Sequence, residues 1–439
     1  MTAPMSFADS HHRPTRRRLL SGLVAGMLAL PLALGACGGD DEPAADGKVE
    51  LSFFWWGGEA RAELTEKALD LYTAKHPNVT FKKTWQANQG YFDKLATLTA
   101  GDDAPDIFQI DDNYLAEYAT RNVTLDLASY QQSGKLDTTK FPKGLIEYGT
   151  VDGKLAGLSF GENTQGLVYN KTKLEAAKVP LPTTGQSWEE HIAWAKDAAV
   201  KTKVAGTQDP SADYKAFWVW LRQQGKELYN GNQLGFTKED VQKWFELWKG
   251  ARDGKATPTA DVIHEGNQTD VTKQLVVTGK ALTSWVWANQ MPELQKNTKD
   301  QLGVIAYPGD ATKQWPRSSM YFSVYRGTEH KDTAVDVLNF LANDPEVGKI
   351  LGTDRGLPSN LDIRSQVAAS TENPSMKQTI EVVGELAKNF GPAPTVPPKG
   401  HSTVRSELIK AAEEAQYGRA TPAAAAEQFF AASQAAISR

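Results

Sequence analysis

The chain has 439 residues, with 48 Lys and Arg against 53 Asp and Glu and a formal net charge of −5. That length exceeds what one hydrophobic core organises and predicts at least two domains. The charge balance, with no basic run beyond the first twenty residues, argues against nucleic acid as a partner and against an anionic membrane surface. A single cysteine, Cys37, excludes an internal disulfide.

The N-terminus reads as an address. Arg16, Arg17 and Arg18 precede an apolar run from Leu19 to Ala36 that Gly22, Gly26, Pro31 and Gly35 interrupt. A basic start, an apolar centre and small residues at the end form an export signal over residues 1–36 rather than a spanning helix. Thr15 to Leu20, TRRRLL, resembles the twin-arginine export motif, so export by the twin-arginine route is expected, with Sec export as the alternative. Leu34-Gly35-Ala36-Cys37 resembles a lipobox, so Cys37 is the expected lipidation site, and residues 37–48 follow as a polar, glycine-rich tether. No second apolar segment is long enough to span a bilayer, which leaves the lipid as the expected membrane anchor.

The mature part begins with alternating elements. Val49–Trp55 is apolar on both faces, as in a strand buried between helix layers. Gly57 and Gly58 end it, and a helix is expected over Glu59–Lys75 from Leu64, Ala68, Leu71 and Tyr72, with Pro77 as its stop. A strand over Val79–Lys83, a helix over Tyr91–Ala100 and a strand over Asp106–Ile110 continue the βαβ pattern of a parallel sheet. In such sheets ligands sit beyond the carboxyl ends of the strands, where Trp55, Trp56, Asp111, Asp112 and Asn113 fall.

The stretch from Gly153 to Lys171 is too rich in glycine for a helix, with glycines at 153, 157, 161 and 166, and Leu167, Val168 and Tyr169 suit a strand. It reads as an extended segment that leaves one sheet, crosses open space and enters another, with Glu162 and Asn163 in mid-crossing. An ordinary hairpin within one domain is the other reading.

Beyond it, Ser187-Trp188-Glu189-Glu190 forms a capping box that opens a helix to about Lys201. Trp244 and Trp248, on a helix from about Thr237 to Lys249, belong to its apolar stripe and read as core. Trp218 and Trp220 lie on a further helix and point to different sides, so either could reach the cleft. Ala281–Trp287 reads as a strand with Trp285 and Trp287 on one face, followed by Asn289 and Gln290, an aromatic platform with amides beside it. A strand over Ser319–Tyr325, a helix over Thr333–Leu341, a turn at Asp354–Asn360 and three helices over residues 376–389, 403–417 and 421–438 close the chain, with a stiff proline-rich loop before His401.

Several chemistries lack their signatures. The seven histidines are scattered, and no HExxH, paired cysteine or EF-hand spacing points to a metal. No GxSxG, P-loop or strand-linked GxGxxG is present. Asp111, Asp112 and Glu162 could supply the carboxylate pair of a glycosidase, and carboxylates that accept sugar hydroxyls serve a binder equally well.

The ordered series FWWGGEARAE (54–63), LTAGDDAPDIFQIDD (98–112), GLVYNK (166–171), SWEE, GKALTSWVWANQ, SSMYFSVY (318–325) and GTDRGLPSN (352–360), behind a lipobox, resembles the extracellular solute-binding proteins of carbohydrate ABC transporters, the large family that includes maltose-binding proteins. The resemblance covers nearly all of residues 15–439. It implies an α/β, two-lobed periplasmic-binding-protein-like fold of type II, each lobe a mixed, mostly parallel sheet flanked by helices. Crossings are implied near Leu158–Glu162 and Gly303–Tyr307, with a further link near Arg355. The expected lobes are 49–160 plus 308–355 and 161–307 plus 356–439. The implied ligand contacts are Trp55 or Trp56, Asp111 or Asp112, Glu162 or Asn163, Trp287 and Arg355; Trp285 and Asn289 join them from the strand-end reading. The expectation is a monomeric, lipid-anchored binder on the outer face of the membrane that passes a sugar or oligosaccharide to ABC permease subunits, with no cofactor, metal or catalytic residue. A secreted glycan-cleaving enzyme and a surface binder of a non-sugar solute such as a peptide are the alternatives.

Overall fold

The computed structural model describes residues 47–266 and 270–438. The export signal and Cys37 lie outside them.

Buried apolar strands and short crossovers build the first sheet. Strand β1 (Val49–Trp56) is followed by the helix Glu59–Lys75, which ends where His76 leaves helical geometry ahead of Pro77. Strand β2 (Val79–Gln86), the helix Tyr91–Ala100 and strand β3 (Ile107–Ile110) repeat the unit. Both β2 and β3 pair parallel to β1, each reached through a helical crossover. Strand β1 is buried on both faces because alternate side chains serve opposite layers. Leu51, Phe53 and Trp55 pack with Ala68, Leu69 and Tyr72 of the first helix, while Phe54 and Trp56 pack with Tyr91 on the other side.

The segment from Gly153 to Lys171 crosses between two sheets as expected. After a two-strand hairpin turning at Asp152 and Gly153, β4 (Leu158–Asn163) joins the edge of the first sheet. Thr164 alone separates it from β5 (Gln165–Asn170), the central strand of a second sheet. Strand β6 (Thr283–Trp287) and β7 (Leu302–Ile305) flank β5, and the chain then returns as β8 (Arg317–Val324). The orders are β2-β1-β3-β8-β4 and β6-β5-β7.

Strand sense corrects one expectation. The first sheet is mixed, with β8 antiparallel to β3 and β4, whereas both pairings of the second sheet are antiparallel rather than mostly parallel. Strand β5 carries the chain into the second lobe and β7 carries it out, so neighbours at the crossing must run in opposite directions.

A third connection runs beside the first. Glu162 and Leu357 exchange backbone hydrogen bonds of 2.6 and 2.9 Å. The approach is close enough that a Cβ on Gly161 would stand 2.1 Å from the Arg355 carbonyl oxygen, so only glycine fits there. The link continues into the helices Leu361–Ser370 and Pro374–Lys388, whose Ile363, Val367 and Val383 pack with Ala288 beyond β6. The second lobe's larger core is helical and aromatic. It joins Trp188 of the helix Trp188–Thr202, Phe217 and Trp220 of Tyr214–Gln223, Trp244 and Trp248 of Lys238–Asp253, and Phe429 of the final helix Pro422–Ile437. Ser187 and Glu190 form the expected capping box. Among the described residues no helix is long and apolar enough to cross a membrane.

Candidate functional site

A cleft of about 840 Å³ opens where strand ends of both sheets meet, at the upper end of the size typical of small-molecule sites. Trp56, Asp111 and Asn113 reach it from the first sheet's strand ends, and Asn163 from the crossing. Trp287 and Asn289 reach it from the end of β6, Arg317 from the start of β8, Tyr214 and Lys215 from one helix start and Arg405 from another.

Alternation along the strands decides between neighbouring residues. Trp55 turns into the core with no exposed surface, edge-on to Phe53 at 5.7 Å. Trp56 turns the other way, braced by Tyr91 and Phe92, and borders the cleft. Asp111 also faces the cleft. Its carboxylate accepts the backbone N–H of Asn113 at 3.0 Å and the Asn113 side-chain amide at 2.8 Å. Burial, reinforced by the adjacent Asp112 carboxylate, pushes Asp111 up to about 6. Asp112 turns inward instead. It accepts the Tyr148 hydroxyl at 2.9 Å and pairs with Arg317 at 2.9 Å, 1% exposed.

At the crossing the same split recurs. Asn163 lines the cleft, its Oδ1 accepting the backbone N–H of Thr164 at 3.0 Å and of Asn289 at 3.5 Å. Glu162 is buried under the third connection, paired with Arg364 at 2.9 Å. Its carboxylate is committed to holding two chain segments together and does not border the cleft.

Trp285 and Trp287, two residues apart on one face, have different surroundings. The Trp285 indole stacks on Trp188 with centroids 5.5 Å apart and donates to the Gln208 carbonyl at 2.8 Å, as a core residue does. Only its edge reaches a second, smaller chamber of about 430 Å³ behind Trp287. Trp287, at the strand end, borders both spaces, with the Arg317 guanidinium 4.3 Å and the Lys215 ammonium 4.8 Å from its ring centre.

Arg355 is placed away from the main cleft. Its guanidinium donates to Thr65 at 2.8 Å and Gln109 at 3.3 Å under the Phe322 ring, and burial pulls it down to about 9. It is a buried pillar between the third connection and the first sheet. Trp218 and Trp220 are both buried, Trp218 donating to Glu227 at 2.7 Å. His401 is buried with its Nδ1 2.7 Å from the Tyr229 hydroxyl.

Cleft residues that escaped the sequence reading include Arg61, Tyr214, Lys215, Arg317 and Arg405. Each lies in the first turns or at the first residue of an element whose apolar pattern drew attention elsewhere. Arg61 is held by the Asp354 carboxylate at 2.8 Å. Lys215 pairs with Asp213 at 2.8 Å, and burial pulls its ammonium below the ordinary lysine range. Among the described residues, the amide oxygens of Asn113 and Asn289 are buried at the cleft without a hydrogen-bond donor. They come from the first sheet and from beyond β6 of the second, and both await a donor. Among the described residues no cluster of His, Cys, Asp and Glu is arranged to hold a metal ion.

Residues 67–378 match the family of bacterial extracellular solute-binding proteins. The chain belongs to that family. This solute-binding protein is 26% identical over 330 residues to the lactose-binding protein of Rhizobium radiobacter, covering 71% of this chain and 75% of that one. Among solved structures, it superposes on a family 1 extracellular solute-binding protein from Alicyclobacillus acidocaldarius with a TM-score of 0.71 and 26% identity, over 90% of this chain and 99% of the other. A periplasmic oligogalacturonide-binding protein from Yersinia enterocolitica, in complex with saturated digalacturonic acid, gives a TM-score of 0.73 at 21% identity, over 89% and 99% of the chains, and shows the shared two-lobed fold.

Proposed function

We propose that this solute-binding protein is a lipid-anchored extracellular receptor that captures a sugar or oligosaccharide between its lobes and delivers it to an ABC importer. The observation that carries the reading is the pairing of an indole with an unpartnered amide oxygen on each wall: Trp56 with Asn113, and Trp287 with Asn289. Sugars present flat C–H faces to indoles and hydroxyl donors to amide oxygens. The lactose-binding relative favours the same ligand class, as does the digalacturonic acid held by the Yersinia neighbour.

Binding without catalysis is the better reading of the carboxylates. Of Asp111, Asp112 and Glu162, only Asp111 borders the cleft, and the other two are buried against arginines. A glycosidase needs two carboxylates facing one bond; of the other acids lining the cleft, Asp354 is held by Arg61, which leaves Glu293 of the short helix after β6 as the one to test beside Asp111. The ligand contacts we assign are Trp56, Asp111, Asn113, Asn163, Trp287 and Asn289. The lobes would divide at Thr164 and between Ile305 and Arg317. A lipid on Cys37 would keep the receptor beside its permease, and a lipoprotein from Streptomyces antibioticus is 29% identical over 189 residues, 42% of this chain and 39% of that one.

Mass spectrometry of ligand co-purified from the native host, followed by calorimetric titration of that saccharide, tests the reading. A saccharide bound without release of reducing ends, and weakened by Asp111→Asn, is expected. Turnover of the bound glycan by the wild type and not by Asp111→Asn would replace the receptor with an enzyme. Cys37→Ser should release the protein into the medium; full membrane retention would remove the lipid anchor.

A further inference from the structure

We propose that the ligand is an acidic saccharide whose carboxylate lies at the Tyr214–Trp287 end of the cleft, against Arg405. The inference rests on the sugar reading and adds a charge to it.

Three cations converge on two rings at that end. Arg405 lies 5.5 Å and Lys215 5.6 Å from the Tyr214 ring centre, and Lys215 and Arg317 lie 4.8 and 4.3 Å from that of Trp287. Two of the three have carboxylates of their own, Asp213 for Lys215 and Asp112 for Arg317. Arg405 is the exception: among the described residues its side chain has no ion pair and no hydrogen bond, lying over the face of Tyr214 with its charge also felt by Asp111. The other arginine bordering the cleft, Arg61, is already held by Asp354.

The carboxylates near this end are already engaged: Asp111 has both oxygens occupied by Asn113, Asp213 holds Lys215, and Glu413 lies 3.1 Å from His264. Of the three cations around these two rings, Lys215 and Arg317 are neutralised by Asp213 and Asp112, and Arg405 is the one that faces the ligand space without an ion-pair partner among the described residues. A guanidinium laid on a ring leaves its edge N–H groups free in a planar fork, the arrangement that grips a carboxylate through two parallel hydrogen bonds. The indoles and the unpartnered oxygens of Asn113 and Asn289 ask for a sugar ring beside that carboxylate, which a simple organic acid lacks.

The test uses a glycan array of neutral, carboxylated and sulfated oligosaccharides with the wild-type chain, then calorimetry with digalacturonic acid, glucuronic-acid disaccharides and their methyl esters. Carboxylated glycans should bind, and esterification should weaken them about ten- to a hundredfold. Arg405→Gln should weaken the acid to the level of its ester and leave the ester within about twofold; Arg405→Lys should restore part of the difference. Because Arg405 is exposed and loses only its contact over the Tyr214 ring, Arg405→Gln should lower stability only slightly and equally with or without the ester, so a large loss of acid binding is not lost folding. Binding of neutral glycans alone, preference for sulfated over carboxylated ones, or equal weakening of acid and ester by Arg405→Gln overturns the inference and leaves the sugar reading intact. Binding of no saccharide on the array overturns both.

Discussion

The Arg317 guanidinium lies 4.3 Å from the centre of the Trp287 indole, a contact between the first residue of β8 and the last of β6. The same guanidinium donates to the Tyr214 hydroxyl at 2.9 Å and pairs with Asp112. Trp287 therefore works in two ways, as a wall of the cleft and as a contact between strands of the two sheets. Trp287→Ala should weaken binding of the cognate sugar about ten- to a hundredfold. It should also lower the stability of the free protein by about 1–2 kcal/mol, the scale of a lost cation–π contact. Calorimetry and denaturant melts on one variant measure both. A loss of more than about 3 kcal/mol in stability with unchanged affinity would make Trp287 a core residue.

Trp285 should behave in the opposite way. It stacks on Trp188 and lies edge-on to Tyr307, with centroids 4.9 Å apart. Trp285→Ala should cost about 3–5 kcal/mol of stability and leave the affinity of the folded fraction within about threefold. Equilibrium melts and titration at a temperature where the variant is folded decide the matter. A large affinity loss in a stable variant would put Trp285 in the site.

Arg355 and Glu162 brace the connections. Arg355→Ala leaves the Thr65 hydroxyl and Gln109 amide oxygen without their donor and opens a void, and should cost about 2–4 kcal/mol. Glu162→Gln leaves the half-buried Arg364 without its charge partner and should cost about 2–3 kcal/mol. Neither should change affinity by more than about threefold when titrated in the folded state. A selective loss of binding by either would return it to the list of ligand contacts.

His191 and His401 should make the fold sensitive to acid. Burial pulls both down to about 3, with the charges of Arg405 and Arg317 adding to the effect at His401. Below about pH 6.5 the unfolded chain takes up protons on these rings and the folded chain does not. Their contribution is therefore complete above pH 6.5 and is lost as the pH falls towards 3, at about 1.4 kcal/mol per unit for each ring. The stability difference between wild type and His401→Gln, followed by melts from pH 7 to 4, should shrink or reverse as the pH drops. A difference that stays constant with pH would show that His401 titrates normally.

Local pattern determined much of this protein. The helices Glu59–Lys75 and Tyr91–Ala100 follow from apolar spacing and their glycine and proline boundaries, the capping box from Ser187 and Glu190, and the crossing from glycines that rule out a helix between residues 153 and 171. Each is set by interactions within a few residues, which is why it is legible in the chain. Composition and strand-end position likewise marked Trp56, Asp111, Asn163, Trp287 and Asn289. The choice between neighbours was legible only as pairs, because alternation says that Trp55 and Trp56 face opposite ways and not which way is core. Only the packed sheet decided that, by placing the first helix over Trp55 and leaving Trp56 at the rim. The cations of the cleft and the Tyr214 ring they gather around were decided by tertiary structure alone. Tyr214, Lys215, Arg317 and Arg405 come from three separate elements spanning residues 214–405, and their encounter depends on how two lobes meet, an arrangement no local periodicity encodes.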